Sequence, residues 1–195
     1  MGLILAAILA IVIAVFSVLF ITLEIYVGII GRLKGAPFVR SKPERIRTMI
    51  ELAGITKDMH VVDLGSGDGS IVIEAARAGA NATGVEMNPF LIPYSRWRAA
   101  RARVQDRTTF IRSDIMNYSL CDTDAVFVYL LPGLLSRMRA KLSQELKPGS
   151  RVISNGFPIQ DWTPTKEKND VFLYMMPACA HTSLDPLTKL SPDFS

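Results

Sequence analysis

Nine residues, Val61 to Gly69, read Val-Val-Asp-Leu-Gly-Ser-Gly-Asp-Gly, and they restrict what this chain can fold into more than any other stretch. An apolar pair runs into an acid, and three glycines then alternate with small or acidic residues. This is the pattern of a strand that turns sharply into a helix while its backbone lies against a ligand. Glycine has no Cβ, so it accepts positive φ and lets another molecule approach the main chain. The following helix presents unpaired N–H groups at its start. Gly65, Gly67 and Gly69 are spaced G-x-G-x-G and position 70 is serine, whereas the dinucleotide turn is G-x-G-x-x-G.

The flanking sequence supplies the rest of a doubly wound domain. Lys42 to Ala53 is periodic as a helix, with Ile46, Met49, Ile50 and Ala53 on one side. Met59 to Leu64 is a short apolar run bounded by glycine, as expected of a buried parallel strand. Helix is expected over Ile71 to Ala78 and strand over Ala82 to Glu86. Asn88-Pro89 reads as N-cap and N1 of the next helix. Thr108 to Arg112 and Ala125 to Leu131 read as strands, Leu134 to Leu146 as a helix stopped by Lys147-Pro148-Gly149, and Arg151 to Asn155 and Val171 to Met176 as the last strands. Alternating strands and helices predict an α/β fold, a Rossmann-like, doubly wound and mainly parallel sheet.

Ahead of that domain, Leu3 to Leu23 carries no charge. At 1.5 Å per residue such a run spans roughly 31 Å, the thickness of a bilayer's hydrocarbon core. No lysine or arginine precedes Arg32, and the apolar run is too long for a cleaved signal. One N-terminal transmembrane helix is therefore expected, in an anchor of residues 1–31, with Glu24 and Tyr26 at the interface. A basic juxtamembrane linker, 32–42, follows with Arg32, Lys34, Arg40 and Lys42, so the positive-inside rule puts the domain, 43–177, on the cytoplasmic side. Residues 178–195 form a proline-containing polar tail. Every lysine and arginine falls after residue 31 in a chain of formal net charge +4, which suits a domain beside anionic headgroups. Cys121 and Cys179 make no metal-binding spacing, and no metal site is expected.

In a doubly wound sheet the ligand lies beyond the carboxyl ends of the strands. The glycine loop (Asp63, Gly65, Ser66, Gly67, Asp68, Gly69) stands at the first such end, Glu86 with Met87 and Asn88 at the second, Asp114 with Ile115 at the third, and Tyr129, Leu130, Leu131 and Pro132 at the fourth. The loop can receive the amino-acid end of S-adenosyl-L-methionine (SAM), Glu86 its ribose hydroxyls and Asp114 its adenine amino group. Tyr129 to Pro132 then faces the reactive methyl, with Tyr129 and the carbonyls of Leu130 and Leu131 as candidates to line the acceptor channel. NAD would use many of the same residues, but it prefers glycine at position 70, has no need of Asp63, and no acid–base partner for it is evident. His60 lies in a strand and His181 in the tail.

Five segments carry a closer likeness: Ala36-Pro37-Phe38-Val39; Val62 to Gly69; Glu86 to Leu91 with Tyr94-Ser95-Arg96; Tyr129 to Pro132; and Lys147 to Ser154. Together they resemble the membrane-anchored class I SAM-dependent protein-lysine methyltransferases related to the mitochondrial enzymes that modify the ATP synthase c-subunit and the ADP/ATP carrier, with their prokaryotic relatives. The resemblance implies SAM as cosubstrate, lysine of a membrane or membrane-proximal protein as acceptor, and Phe38 and Ser41 as further cosubstrate contacts. Acceptors of another kind, a lipid or a small molecule, and a SAM-binding module without catalysis are the alternatives. The chain departs from the family in having Ser70 where arginine is usual, Arg40 where proline is usual, and Pro93 inside a helix, where it should kink the helix or delay its start. The domain's length suggests a sheet shortened at the C-terminus. Tyr-Leu-Leu-Pro lacks the side-chain acceptor of DNA adenine methyltransferases, so DNA is not an expected partner. Arg96, Arg98, Arg101, Arg103 and Arg107 around Trp97 read as a solvated helix face near lipid headgroups in preference to an RNA contact.

Overall fold

A computed structural model describes residues 2, 6, 9–22 and 40–177. Residues 9–22 are helical and their side chains are all exposed. Among the described residues no helix is long and apolar enough to cross a membrane. The expected span, Leu3 to Leu23, lies partly outside the described residues, as do the 178–195 tail, most of the 32–42 linker and Phe38.

From Ser41 onwards the chain forms a separate compact unit. Its elements are α1 Pro43–Ala53, β1 His60–Leu64, α2 Ser70–Arg77, β2 Asn81–Glu86, α3 Leu91–Arg101, a 3-10 turn at Gln105–Arg107, β3 Thr108–Arg112, β4 Ala125–Val128, α4 Pro132–Glu145, β5 Arg151–Asn155, β6 Lys166–Lys168 and β7 Val171–Met175. The sheet runs β3-β2-β1-β4-β5-β7-β6. The first five strands are parallel, β7 is antiparallel to β5, and β6 is antiparallel to β7. Strand order reverses between β1 and β4, which sets the crevice at their carboxyl ends.

The sheet is not shortened, and that expectation is corrected: all seven strands are present. What is short is the set of connections. Residues 113–124 and 156–165 join their strands without a helix. One face of the sheet is covered by α1, α2 and α3 through Met49, Ala53, Val72, Ala75 and Ile92 against Val61, Ala82, Phe110, Phe127 and Ile153. The other face holds Val62, Leu64, Val85, Val126, Val128 and Val152 under Leu135, Met138 and Leu142 of α4. Ile115 and Leu120 from one loop, and Ile159 with half-buried Phe157 and Trp162 from the other, complete that second core.

Two local expectations are also corrected. Asn88 is not the helix cap: α3 begins at Leu91, and the Asn88 Oδ1 instead accepts the Phe90 N–H at 3.0 Å in a tight turn. Pro93 is the cause. Placed in the first turn, where an N–H has no intrahelical partner, it costs no hydrogen bond, and the delayed start accommodates it. The apolar run at 125–131 ends as a strand at Val128, so Tyr129 to Leu131 stand clear of the sheet as loop.

Candidate active site

The glycine loop is built by three positive φ angles, +86° at Gly65, +53° at Gly67 and +74° at Gly69. A Cβ on Gly69 would lie 2.8 Å from the Phe110 ring and 3.0 Å from the Ser95 Cβ, so the loop sits against β3 and α3 with no room for a side chain. Gly84 of β2 has the same constraint, since a Cβ there would meet the Ser66 Oγ at 2.7 Å. The N–H groups of Gly65 and Ser66 both donate to the Val85 carbonyl, at 2.9 and 3.0 Å, which folds the loop back over β2.

Glu86 locks this arrangement. Its Oε2 accepts the Gly67 N–H at 2.9 Å and its Oε1 accepts the Asn88 N–H at 2.8 Å. A carboxylate offers about four acceptor sites, so two remain for a pair of ligand hydroxyls. Asp63 faces the same crevice with 3% exposure and carries no hydrogen bond from the described residues. Burial, reinforced by the Glu86 and Asp68 carboxylates, pushes its carboxyl up to about 8. The Ser66 Oγ is buried without a hydrogen-bond partner among the described residues. A buried, unpaired carboxyl beside two further acids fits the ammonium end of an amino-acid-bearing ligand, because a cation there would reverse all three penalties at once. The cradle of SAM therefore suits the residues present.

Asp114 lies exposed at the end of β3, where its Oδ1 accepts the Met116 N–H at 2.9 Å, while Ile115 beside it is buried in the second core. Met87 is half-buried next to Glu86. At the β4 end, the Tyr129 ring and the Arg45 guanidinium both flank Gly156, where a Cβ would meet the Tyr129 Cε2 at 3.2 Å and the Arg45 Nη1 at 3.4 Å. Leu130 turns into the core at 5% exposure, and Leu131 is half exposed ahead of Pro132, the first residue of α4. The Leu131 carbonyl accepts the N–H groups of Leu134 and Leu135, so both of its lone pairs are committed to α4 rather than to a channel. Of the two carbonyls expected there, only that of Leu130 remains.

Four residues of this site escape the sequence reading. Arg98, grouped by sequence with a solvated face, reaches back to the loop. Its Nη1 donates to the Asp68 carbonyl at 2.7 Å and the Ser70 Oγ at 2.9 Å, and pairs with the Asp68 Oδ2 at 2.7 Å. Ser70 completes the knot by donating from N and Oγ to the Asp68 Oδ1, at 3.1 and 2.6 Å. Ser95, one turn earlier on the same side of α3, donates to the Gly67 carbonyl at 3.0 Å. Arg45 and Asn155 meet beside Gly156. The Arg45 Nη1 donates to the Asn155 Oδ1 at 3.2 Å, and the Asn155 Nδ2 donates to the Ser41 Oγ, also at 3.2 Å. The available signals were modest: Ser95 and Arg98 are i, i+3 neighbours, and Asn155 ends a strand as Glu86 does.

The site accordingly has a stiff half, the glycine loop held by Glu86, Ser95 and Arg98, and a second cluster around Gly156 made by Tyr129, Arg45 and Asn155. The sequence pattern of the ANTKMT methyltransferase domain matches residues 63–166. The ATP synthase c-subunit lysine N-methyltransferase of Rattus norvegicus is 38% identical over 147 residues, covering 73% of this chain and 68% of that protein. The chain spans only 51 to 56% of several other proteins of that name. A protein-lysine N-methyltransferase of Saccharolobus islandicus is 33% identical over 130 residues, covering 66% of this chain and 81% of that protein. The crystal structure of an RNA methyltransferase from Salinibacter ruber, in complex with S-adenosyl-L-homocysteine, superposes with a TM-score of 0.69 at 33% identity, over 71% of this chain and 94% of that one. Matching that domain's pattern over residues 63–166, the chain belongs to the ANTKMT methyltransferase-domain family of SAM-dependent protein-lysine methyltransferases.

Proposed function

We propose that this chain is a membrane-tethered, SAM-dependent N-methyltransferase that modifies lysine in a membrane or membrane-proximal protein, with its domain on the cytoplasmic side. The observation that supports methyl transfer is the glycine loop itself, with Asp63 buried at its start and the Glu86 carboxylate clamped on its Gly67 N–H. Bound SAM supplies an electrophilic methyl on a sulfonium. The chain's own residues position and exclude water, which is most of what an in-line displacement asks of a protein. Asp63 and the loop orient the amino-acid end, Glu86 holds the ribose, and Asp114 takes the adenine side, with Ser41 near the methionine end.

On the acceptor side a lysine amine must shed its proton before it attacks, and Tyr129 with the Leu130 carbonyl gives it a partly apolar slot to enter. The half-exposed apolar side chain of Leu131 extends that slot outward. The relatives named for protein-lysine methylation support a protein acceptor over a lipid or a small molecule. The tether reading is supported by the uncharged run at Leu3 to Leu23 and by the exposed apolar side chains of residues 9–22. Confinement to the surface would raise the effective concentration of a membrane-borne lysine.

The test is to incubate the full chain with its native membranes and methyl-labelled SAM, against Glu86→Ala. The expected result is label on lysine in a membrane protein, found by mass spectrometry and lost in the variant. Label extracted into organic solvent would assign a lipid acceptor instead. No transfer to any acceptor, with SAM binding retained, would leave a binding module.

A further inference from the structure

Helix α3 turns one face inward and leaves a second one uncovered among the described residues. Ile92, Ser95 and Ala99 are buried, whereas Phe90, Tyr94, Trp97 and Arg101 fall at i, i+4, i+7 and i+11, a single stripe along the helix. Phe90 is 82% exposed, Trp97 53% and Tyr94 45%. The stripe is ordered, since Tyr94 and Trp97 stack with centroids 5.9 Å apart and planes at 22°. The Arg101 guanidinium lies 5.1 Å over the Trp97 ring, and that of Arg98 5.9 Å over Tyr94. Charge concentrates on the same segment: residues 87–105 contain four arginines and no aspartate or glutamate, an excess equal to the formal net charge of the whole chain. Arg96 and Arg98 donate inward, to the Phe110 carbonyl and to the glycine loop. Arg101 and Arg103 are exposed.

Exposed tryptophan and tyrosine flanked by arginine is the composition that collects at the boundary between acyl chains and headgroups. We infer that this stripe is a lipid-docking surface that seats α3 in the headgroup layer of an anionic membrane. The proposal rests on the tether reading, because a domain joined to an apolar helix is held near such a layer. Positive charge on α3 complements anionic phosphate, and Phe90, with no polar group to satisfy, enters the acyl boundary. Single-stranded RNA fits less well. The Tyr94 and Trp97 rings are already stacked on each other and covered by guanidinium groups, whereas a nucleobase needs an open ring face. The stripe begins four residues after Glu86, so docking presents the rim of the crevice to the membrane surface.

The test uses the full chain with Trp162→Phe, which leaves Trp97 as the single tryptophan. It is mixed with vesicles of phosphatidylcholine alone or of phosphatidylcholine with phosphatidylserine, each with and without brominated acyl chains. Bromolipid quenching of Trp97 is expected, stronger with phosphatidylserine, and weakened roughly fivefold in apparent affinity by Arg101→Gln, the effect of about one interfacial charge. Phe90→Ser should reduce quenching while the thermal shift produced by S-adenosyl-L-homocysteine stays unchanged. If the chain floats with both vesicles and Trp97 stays accessible to iodide, the docking surface is overturned and the tether stands. If it floats only with phosphatidylserine vesicles and Trp97 is quenched, the tether fails and the docking surface stands. Quenching by oligouridylate in place of bromolipid would overturn the proposal in favour of RNA.

Discussion

At the scale of single residues, Asp63 gives the sharpest consequence. Its carboxyl is raised to about 8 from an ordinary 3.8, chiefly by burial and further by Glu86 and Asp68. The unfolded chain releases this proton as pH passes about 4 and the folded domain keeps it until about 8. The unfolded state then binds fewer protons across that window, so the ligand-free domain loses stability as pH rises through it. Thermal unfolding at pH 5 and pH 8 should show a fall that Asp63→Asn largely removes, and a variant with the same slope as wild type would exclude this origin. Arg98 gives a second expectation. Arg98→Ala should weaken S-adenosyl-L-homocysteine binding about tenfold, the equivalent of about 1.4 kcal/mol, measured by calorimetry, because Asp68 and Ser70 lose the guanidinium that ties them to α3. Asp63 was legible from sequence because it stands two positions before a glycine loop. Arg98 was not, because a run of alternating arginines says nothing about which one turns inward.

Helices and strands were readable wherever apolar periodicity drives them. β3 and β5 fall at their expected bounds, and α1, β1, α2 and β2 shift by one residue or so. β6 was missed for a physical reason: Lys166-Glu167-Lys168 is charged and exposed, and its strand character comes from pairing with β7, not from an apolar face. A short charged edge also discourages pairing with other chains. The start of α3 was misplaced because Asn-Pro reads equally well as a cap or as a turn, and Pro93 decides for the turn. Pro93→Ala should change stability by less than about 1 kcal/mol in urea denaturation, since no helical hydrogen bond is missing at that position. A gain well above that would mean that the proline strains the helix.

At the scale of the whole molecule, the described residues close the two faces of the sheet by different means, three helices on one and a single helix with two loops on the other. The 156–165 loop is fastened from below by Tyr174 of β7, whose hydroxyl accepts the Ile159 N–H at 2.9 Å and whose ring meets Trp162 edge-on at 5.6 Å. Tyr174→Phe should cost about 1–3 kcal/mol, because it strands a buried N–H. Equilibrium unfolding would show it, and an unchanged midpoint would mean that water replaces the hydroxyl. Sequence length alone suggested a truncated sheet. The economy was made in the crossovers instead, which no strand pattern reveals.

That uneven closure divides the labour of the crevice. The half that receives the methyl donor is anchored to α2 and α3, so little there can be changed without disturbing the core. The half proposed to meet the acceptor borrows its walls from Tyr129 to Leu131 and from the start of the loop at Gly156, segments that can be rewritten while the sheet stays intact. A protein built this way is strict about its donor and open to revision about its target, so new acceptors could be acquired by remodelling loops alone.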